Sequence, residues 1–427
     1  MTIAETPPTA PGSGPFDPAR RTAPPSGVVL PVALTLLVQA VVSMSVVTVP
    51  VFMPVAAGEL NVPASHVGLF MSMIYVGSTM VAPVSGYFID RFGPIGVSQV
   101  CLVLCALGLG VLSIPVIPLM AIGAFIMGIG HGPVTPASSH LLVRTTPLTM
   151  MSFVFSIKQT GVPLGGALAG AVVPYLVMAF GWNMSAGWVA AANLALAGLL
   201  FPYRRRFDTQ PSAGLRLSWK KAVEPVKMTL LHPDLRRIAI ASFFFSTMQL
   251  CLVSFLVTYL IERIAMTLIQ AGGLLSAAQA SGIIGRIVWG AFADRCVKPR
   301  IMLGLLGLAM TAAALCAALF TDQWPYAAIL VVCSLFGSVA IGWNGVYLAE
   351  IARVAKPELA GMATGGNIFF NFLGILLGLP AFSLVVDKTG SYPLGFGMVA
   401  GATFICGLVR LASREPRREA PQALNPR

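Results

Sequence analysis

Gly86-Tyr87-Phe88-Ile89-Asp90-Arg91 closes one long apolar stretch of the chain, and Gly290-Ala291-Phe292-Ala293-Asp294-Arg295 closes another, 204 residues later. Each string runs glycine, three variable residues, aspartate and arginine, and a turn-forming or basic segment follows it. In a chain of 427 residues that interval is nearly half the length. The spacing marks a duplicated unit.

Composition says where such a unit lives. The chain is 56% hydrophobic and only 10% charged, with a mean hydropathy of +0.84. A soluble domain carries about a quarter charged residues. Apolar runs of roughly 18 or more residues read as membrane spans. They fall near 29–54, 67–89, 97–115, 118–142, 151–175 and 185–203, then 237–261, 268–293, 301–320, 326–352, 360–386 and 392–412. The expectation is an all-α membrane protein of twelve transmembrane helices, in two six-helix bundles related by a pseudo-two-fold axis. An N-terminal bundle covers 29–203 and a C-terminal bundle 237–412, joined by a cytoplasmic linker at 204–236.

A net charge of +12 in a soluble protein would suggest nucleic acid, but here the positions of the charges decide otherwise. Of 27 Lys and Arg, 23 lie in the tails and in alternate loops of one face. Arg263 and Lys388 lie on the other face, and Lys158 and Arg286 lie inside spans. This is the positive-inside bias, and it places both termini and the linker in the cytoplasm of a bacterial-type inner membrane. The partners it implies are the bilayer and a small solute, with no nucleic acid, and the chain is expected to act as a monomer. Residues 1–28 are rich in Pro, Thr and Ala and lack a short apolar core with a cleavage site; they read as a disordered cytoplasmic tail, as do 413–427. The seven cysteines form no CxxC pair, so neither a disulfide framework nor a metal site is expected. There is no G-x-x-x-x-G-K-[ST] string, so ATP is not implied, and no cofactor is expected.

The paired strings resemble the signature between the second and third helices of the major facilitator superfamily, with its second copy between helices eight and nine. The first copy here continues Phe92-Gly93-Pro94-Ile95-Gly96, where the family usually carries basic residues; the second keeps Lys298 and Arg300. In such a protein Gly86 and Gly290 would permit close helix packing. Asp90, Arg91, Asp294 and Arg295 would form a conformational latch at the cytoplasmic edge. Glu350 and Arg353, three apart on one helix face, would join it. Gly161-Val162-Pro163-Leu164-Gly165 in span five resembles the family's glycine–proline motif, and Gly374-Ile375-Leu376-Leu377-Gly378 in span eleven is its repeat partner.

Lys158 and Arg286 are the decisive residues for substrate. A cation within a span costs about 2.5–3.5 kcal/mol on insertion scales, so it needs a reason. Both lie roughly 10–12 Å from the cytoplasmic edge at 1.5 Å per residue. Snorkelling to that surface is one explanation. The other is an anion site, because no acidic residue lies mid-span to compensate them. Arg286-Ile287-Val288-Trp289-Gly290 resembles the eighth helix of monocarboxylate and oxalate/formate transporters, whose arginine binds substrate carboxylate. The aspartate often found one turn earlier there is Gly282 here. Ser156-Ile157-Lys158-Gln159-Thr160-Gly161 is similar to the fifth helix of bacterial organic-anion and cyanate-type permeases.

Repeat logic nominates the rest of the lining. Tyr75 and Gln279 each precede their motif glycine by eleven residues. Gln39 and Gln249 occupy similar places in spans one and seven, and Asn344, Tyr347, Asn367 and Asn371 add polar groups in spans ten and eleven. Asn371 falls opposite Lys158 when Gly374 is laid on Gly161. His131 in span four could titrate near neutral pH. For each of these groups a bond across helices is the first reading and contact with a ligand the second. The expectation is a secondary transporter of a small organic anion, a carboxylate, and not an enzyme, for want of a polar triad or metal cluster. The competing readings are a proton-coupled drug or metabolite efflux pump, which generally needs an embedded carboxylate, and a transporter-like receptor signalling through its linker.

Overall fold

The computed structural model describes residues 26–147, 150–208, 219–355 and 359–412. Most of the two tails, the segment 209–218 of the linker and the short 356–358 connection lie outside the described residues. The described chain is almost wholly helical, and the twelve spans assemble as two six-helix bundles.

In the first half, α1 (Ser26–Leu60) is one long helix, and span two divides into α2 (Val67–Val81) and α3 (Ser85–Phe92) at a 3-10 turn. Span three is α4 (Pro94–Leu112), and span four divides into α5 (Ile117–His131) and α6 (Val134–Thr145). Gly132 and Pro133 fill that break, where proline brings no backbone N–H to the helical ladder. Span five opens as α7 (Met151–Gln159) and continues in α8 (Gly161–Leu199), which also contains all of span six. Gly181, at φ 79°, turns the chain between spans five and six. Eleven candidate spans by length become twelve once that turn is recognised.

The second half repeats the scheme. Spans seven, eight and nine are α11 (Pro233–Ile264), α12 (Leu268–Arg295) and α13 (Pro299–Ala318). Span ten breaks as span four does, into α14 (Tyr326–Ala340) and α15 (Asn344–Val354), again beside a glycine, Gly342. Spans eleven and twelve are α16 (Ala360–Thr389) and α17 (Tyr392–Ala412). Between the halves lie α9 (Phe201–Phe207) and α10 (Trp219–Leu231), so the linker holds helix that apolar run length alone did not reveal.

Repeat-related glycines fix the packing. A Cβ on Gly128 would collide with the carbonyl of Ile74, and one on Gly337 with that of Ala278. Ile74 and Ala278 each stand twelve residues before their motif glycine. Spans four and ten are thus pressed on spans two and eight at the same level. In span five, Gly161 abuts Gln39 and Gly165 abuts Ser43; in span eleven, Gly374 abuts Phe243 and Gly378 abuts Thr247. Gln39 and Phe243, like Ser43 and Thr247, are 204 residues apart, the interval of the paired motifs. These contacts lay Gly374 on Gly161.

The helices α1 and α11, first of each half, are the most deeply buried spans, at 67% and 78% of their apolar windows. Outward positions such as Leu107, Met178, Ile287 and Leu335 are exposed and apolar, as a lipid-facing surface requires. The motif glycines behave otherwise than expected. A Cβ on Gly86 or Gly290 meets no atom within 4 Å, so neither permits close packing in this conformation.

Candidate functional site

Lys158 sits in the last turn of α7 and is wholly buried. Its ammonium therefore does not snorkel to the edge. Nζ lies 3.4 Å from Thr135 Oγ1, to which it donates. Thr135 in turn donates to Gln39 Oε1 at 3.2 Å, joining spans five, four and one. The break at Gly132 and Pro133 brings Thr135 to this level, in the first turn of α6.

Arg286 approaches the same place from the other half. Its Nη1 donates to the carbonyl oxygen of Gln159 at 2.8 Å, and its Nε to that of Ile341 at 3.2 Å. Sequence explains why the first carbonyl is available. The residue four positions after Gln159 is Pro163, which has no N–H to return the helical bond. Lys158 and a carbonyl freed by proline are thus adjacent in the chain, and Arg286 from span eight is bonded to that carbonyl. Among the described residues, no carboxylate pairs with either cation.

A second polar cluster adjoins Arg286. Gln249 Oε1 accepts from Trp343 Nε1 at 3.0 Å and from Asn344 Nδ2 at 3.1 Å. Asn344 also reaches the Ile341 carbonyl, at 3.4 Å, so Ile341 links Asn344 to Arg286. Tyr347 packs beside Trp343 with the rings tilted by 60° and their centroids 5.0 Å apart. On the other side of the interface Tyr75 lies 5.9 Å from the His131 ring and 6.0 Å from the Phe372 ring of the opposite half. His131 Nδ1 is 3.1 Å from Ser78 Oγ. The Gln279 amide fills the space left by Gly166, again across the halves.

One nominated residue stands apart. Asn367 is turned to the linker helix, donating to Ala363 O at 3.0 Å and reaching Thr229 Oγ1 at 3.5 Å. It is not among the groups around Lys158. Asn371 takes part through its backbone carbonyl, which accepts from Ser246. Sequence reasoning missed Thr135, Trp343 and the Gln159 carbonyl; the signals for them were the Gly132-Pro133 break and the proline at 163.

The described acidic residues lie away from the two cations. At the end of the molecule opposite the motifs, Glu59 accepts from Trp182 Nε1 at 2.7 Å and Glu262 from Tyr392 Oη at 2.7 Å. Asp387 accepts from Ser65, and Ser383 donates to the Ser65 carbonyl at 2.7 Å. Gly68 packs on Ser383, Phe255 and Leu379. These contacts join the halves firmly at that end.

At the motif end Asp90, Arg91 and Glu350 each bond within their own half. Asp90 Oδ1 is 3.5 Å from His140 Nε2, and Arg91 donates to Tyr87 Oη at 3.2 Å. Glu350 is buried and receives Arg353 at 2.9 Å and Arg410 at 2.7 Å. Arg410 is only 3% exposed. Asp294 and Arg295 are exposed. The first motif lacks its basic residues, and a different group holds its loop. Asp208, at the end of α9, accepts from the backbone N–H groups of Ile95 and Gly96 at 3.0 and 2.9 Å. Burial raises its carboxyl above the usual range, against those two donors and the nearby Arg204 and Arg144.

Comparison with known proteins agrees with this architecture. The chain is 23% identical to the hexuronate transporter of Bacillus subtilis (strain 168), over 89% of this chain and 93% of that one. It is 23% identical to the cis,cis-muconate transport protein of Acinetobacter baylyi, over 85% and 89%. Its fold matches the crystal structure of a bacterial homolog of the human lysosomal transporter Spinster, in an inward-facing and unoccupied conformation. There the TM-score is 0.72 at 13% identity, covering 91% of this chain and 96% of that one. Residues 35–379 match the family model itself, and the chain belongs to the Major Facilitator Superfamily, as a multi-pass membrane transporter.

Proposed function

We propose that this protein carries a small organic anion, a carboxylate, across a bacterial inner membrane by alternating access of its two bundles. The observation that carries this reading is the meeting of Lys158 and Arg286, from opposite halves, without an acidic partner among the described residues. A guanidinium grips a carboxylate through two N–H donors, while an ammonium supplies a point charge. Arg286 commits Nε and Nη1 to carbonyl oxygens. Its remaining N–H groups, with Lys158, are the donors offered to substrate. Tyr75, Gln279, Gln39, Gln249, Asn344, Tyr347, Asn371 and His131 furnish the surrounding polar and aromatic lining. Relatives that carry hexuronate and muconate, both organic anions, support the substrate class.

The bias of basic residues supports cytoplasmic termini and a cytoplasmic motif end. In that orientation the contacts among Ser65, Ser383 and Asp387 close the periplasmic side. Asp90, Arg91, Asp294, Arg295, Glu350 and Arg353 act as the latch that alternates with those contacts. The bundles are taken as 29–203 and 237–412, and the working unit as the monomer.

The test is uptake of a labelled anion panel into proteoliposomes, with and without a pH gradient. Saturable carriage of one carboxylate class is the expected result. Carriage of lipophilic cations, with indifference to every anion in the panel, would overturn the reading in favour of an efflux pump.

A further inference from the structure

We propose that the crevice between the first motif and the end of span six is a binding site for the headgroup of an anionic phospholipid. The crevice has a volume of about 400 Å³ and is lined by Arg91, Phe92, Phe201, Arg204, Arg205 and Asp208. It lies where α3 ends, α4 begins and span six passes into α9, so it stands at the polar edge of the membrane.

Its charge is unbalanced. Three guanidiniums face one carboxylate, and that carboxylate is already engaged. Asp208 accepts from the N–H groups of Ile95 and Gly96 and lies 3.8 Å from Arg204. The position is fixed by Gly93, whose φ of 80° and missing Cβ let the Asp208 carboxyl sit against the backbone. Arg91 and Arg205 are left without a carboxylate partner among the described residues. Arg91 bonds only to the Tyr87 hydroxyl and lies over the Phe92 ring at 5.6 Å.

An arginine fork suits phosphate oxygens. The aromatic neighbours identify the source of that phosphate. Phe92 is 47% exposed and Phe201 65% exposed, a poor arrangement facing water and a favourable one against acyl chains. A headgroup held by Arg91 and Arg205 places its chains along these two rings. A free phosphate would use the arginines and gain nothing from the phenylalanines.

The test compares the wild-type transporter with R91Q/R205Q in nanodiscs, titrating dioleoyl phosphatidylglycerol against dioleoyl phosphatidylcholine. A hydrogen bond to a charged group contributes about 1.5–3 kcal/mol, so losing both arginines should weaken phosphatidylglycerol binding by about 150-fold or more. R236Q/R237Q, which removes two cations elsewhere on the same face, should lose much less. An equal loss in both double variants, or no loss in the first, overturns the site. Competition by glycerol phosphate at concentrations matching the lipid also overturns it, since the site would then serve a soluble anion. A photoactivatable phosphatidylglycerol on the wild type gives a readout that does not depend on the variant folding. It should crosslink within 88–92 and 201–208, and label confined to other segments would sink the proposal.

Discussion

Arg286 is hydrogen-bonded to the backbone of Gln159, Nη1 to carbonyl oxygen at 2.8 Å, and Gln159 is the residue next to Lys158. One bond therefore ties span eight of the second half to a carbonyl of span five in the first. That carbonyl is free because Pro163 cannot donate to it. If the halves rock as proposed, this bond must lengthen or follow the motion. An anion bridging Lys158 and Arg286 would then hold the two sides together through the change, and substrate and conformation would be coupled at one place.

The glycine contacts separate packing from motion. Gly128→Ala and Gly337→Ala each place a methyl against a backbone carbonyl. Both should cost about 1–3 kcal/mol of stability by overpacking, seen as a lower melting temperature in detergent. Gly86→Ala and Gly290→Ala meet open space and should leave the melting temperature nearly unchanged. They should still slow transport if the motif ends close on each other in the opposite state. A fall in stability at Gly86 or Gly290 equal to that at Gly128 would count against this arrangement.

Asp90→Asn and Asp294→Asn are expected to reduce turnover while leaving ligand affinity within a few-fold. Asp90 lies beside His140 of its own half and Asp294 is exposed, so neither is placed to touch the anion. Counterflow rates and equilibrium binding, measured on the same preparations, make the distinction. A large loss of affinity with normal turnover would assign these residues to the binding site.

The Asp208 carboxyl yields a pH dependence with a definite sign. Burial raises its folded-state pKa above the unfolded reference of about 3.9. Its contribution to stability is therefore fully present below that reference and is lost as pH rises through the folded value. Wild type should gain melting temperature over Asp208→Asn as the pH falls from 7 towards 4. A gap that widens towards neutral pH would mean that the Ile95 and Gly96 hydrogen bonds outweigh burial.

Much of the fold was legible in the chain because a membrane imposes simple rules. Apolar run length set the spans, and the paired G-x-x-x-D-R strings set the repeat. What length could not show were the breaks within spans two, four, five and ten, which depend on single glycines, prolines and 3-10 turns, and the amphipathic helices of the linker. The two embedded cations stood out because charge in a span is rare. Thr135 and the Gln159 carbonyl did not, since a threonine in a span is ordinary and a backbone oxygen has no sequence signature beyond the proline that frees it. Asn367 illustrates a related point: position in a span does not say which helix a side chain turns to, and the linker helix α10 brings Thr229 to it.

The final prediction concerns Lys158 and Arg286 together. If they compensate one carboxylate from opposite halves, removing either leaves that carboxylate with part of its partnership. A hydrogen bond to a charged group contributes about 1.5–3 kcal/mol, so Lys158→Gln or Arg286→Gln should weaken substrate affinity roughly ten- to 150-fold. Arg286→Lys should also bind poorly, because an ammonium cannot hold two carbonyls and still present a fork to the substrate. The double variant tests sharing. When both cations act on one anion, the second removal costs much less than the first, and the cycle shows a coupling of about 0.5–3 kcal/mol. Cations serving separate ends of a dianion would instead give nearly additive losses. Affinity close to wild type in both single glutamine variants, at equal expression and melting temperature, would remove the anion site and with it the substrate class proposed for this transporter.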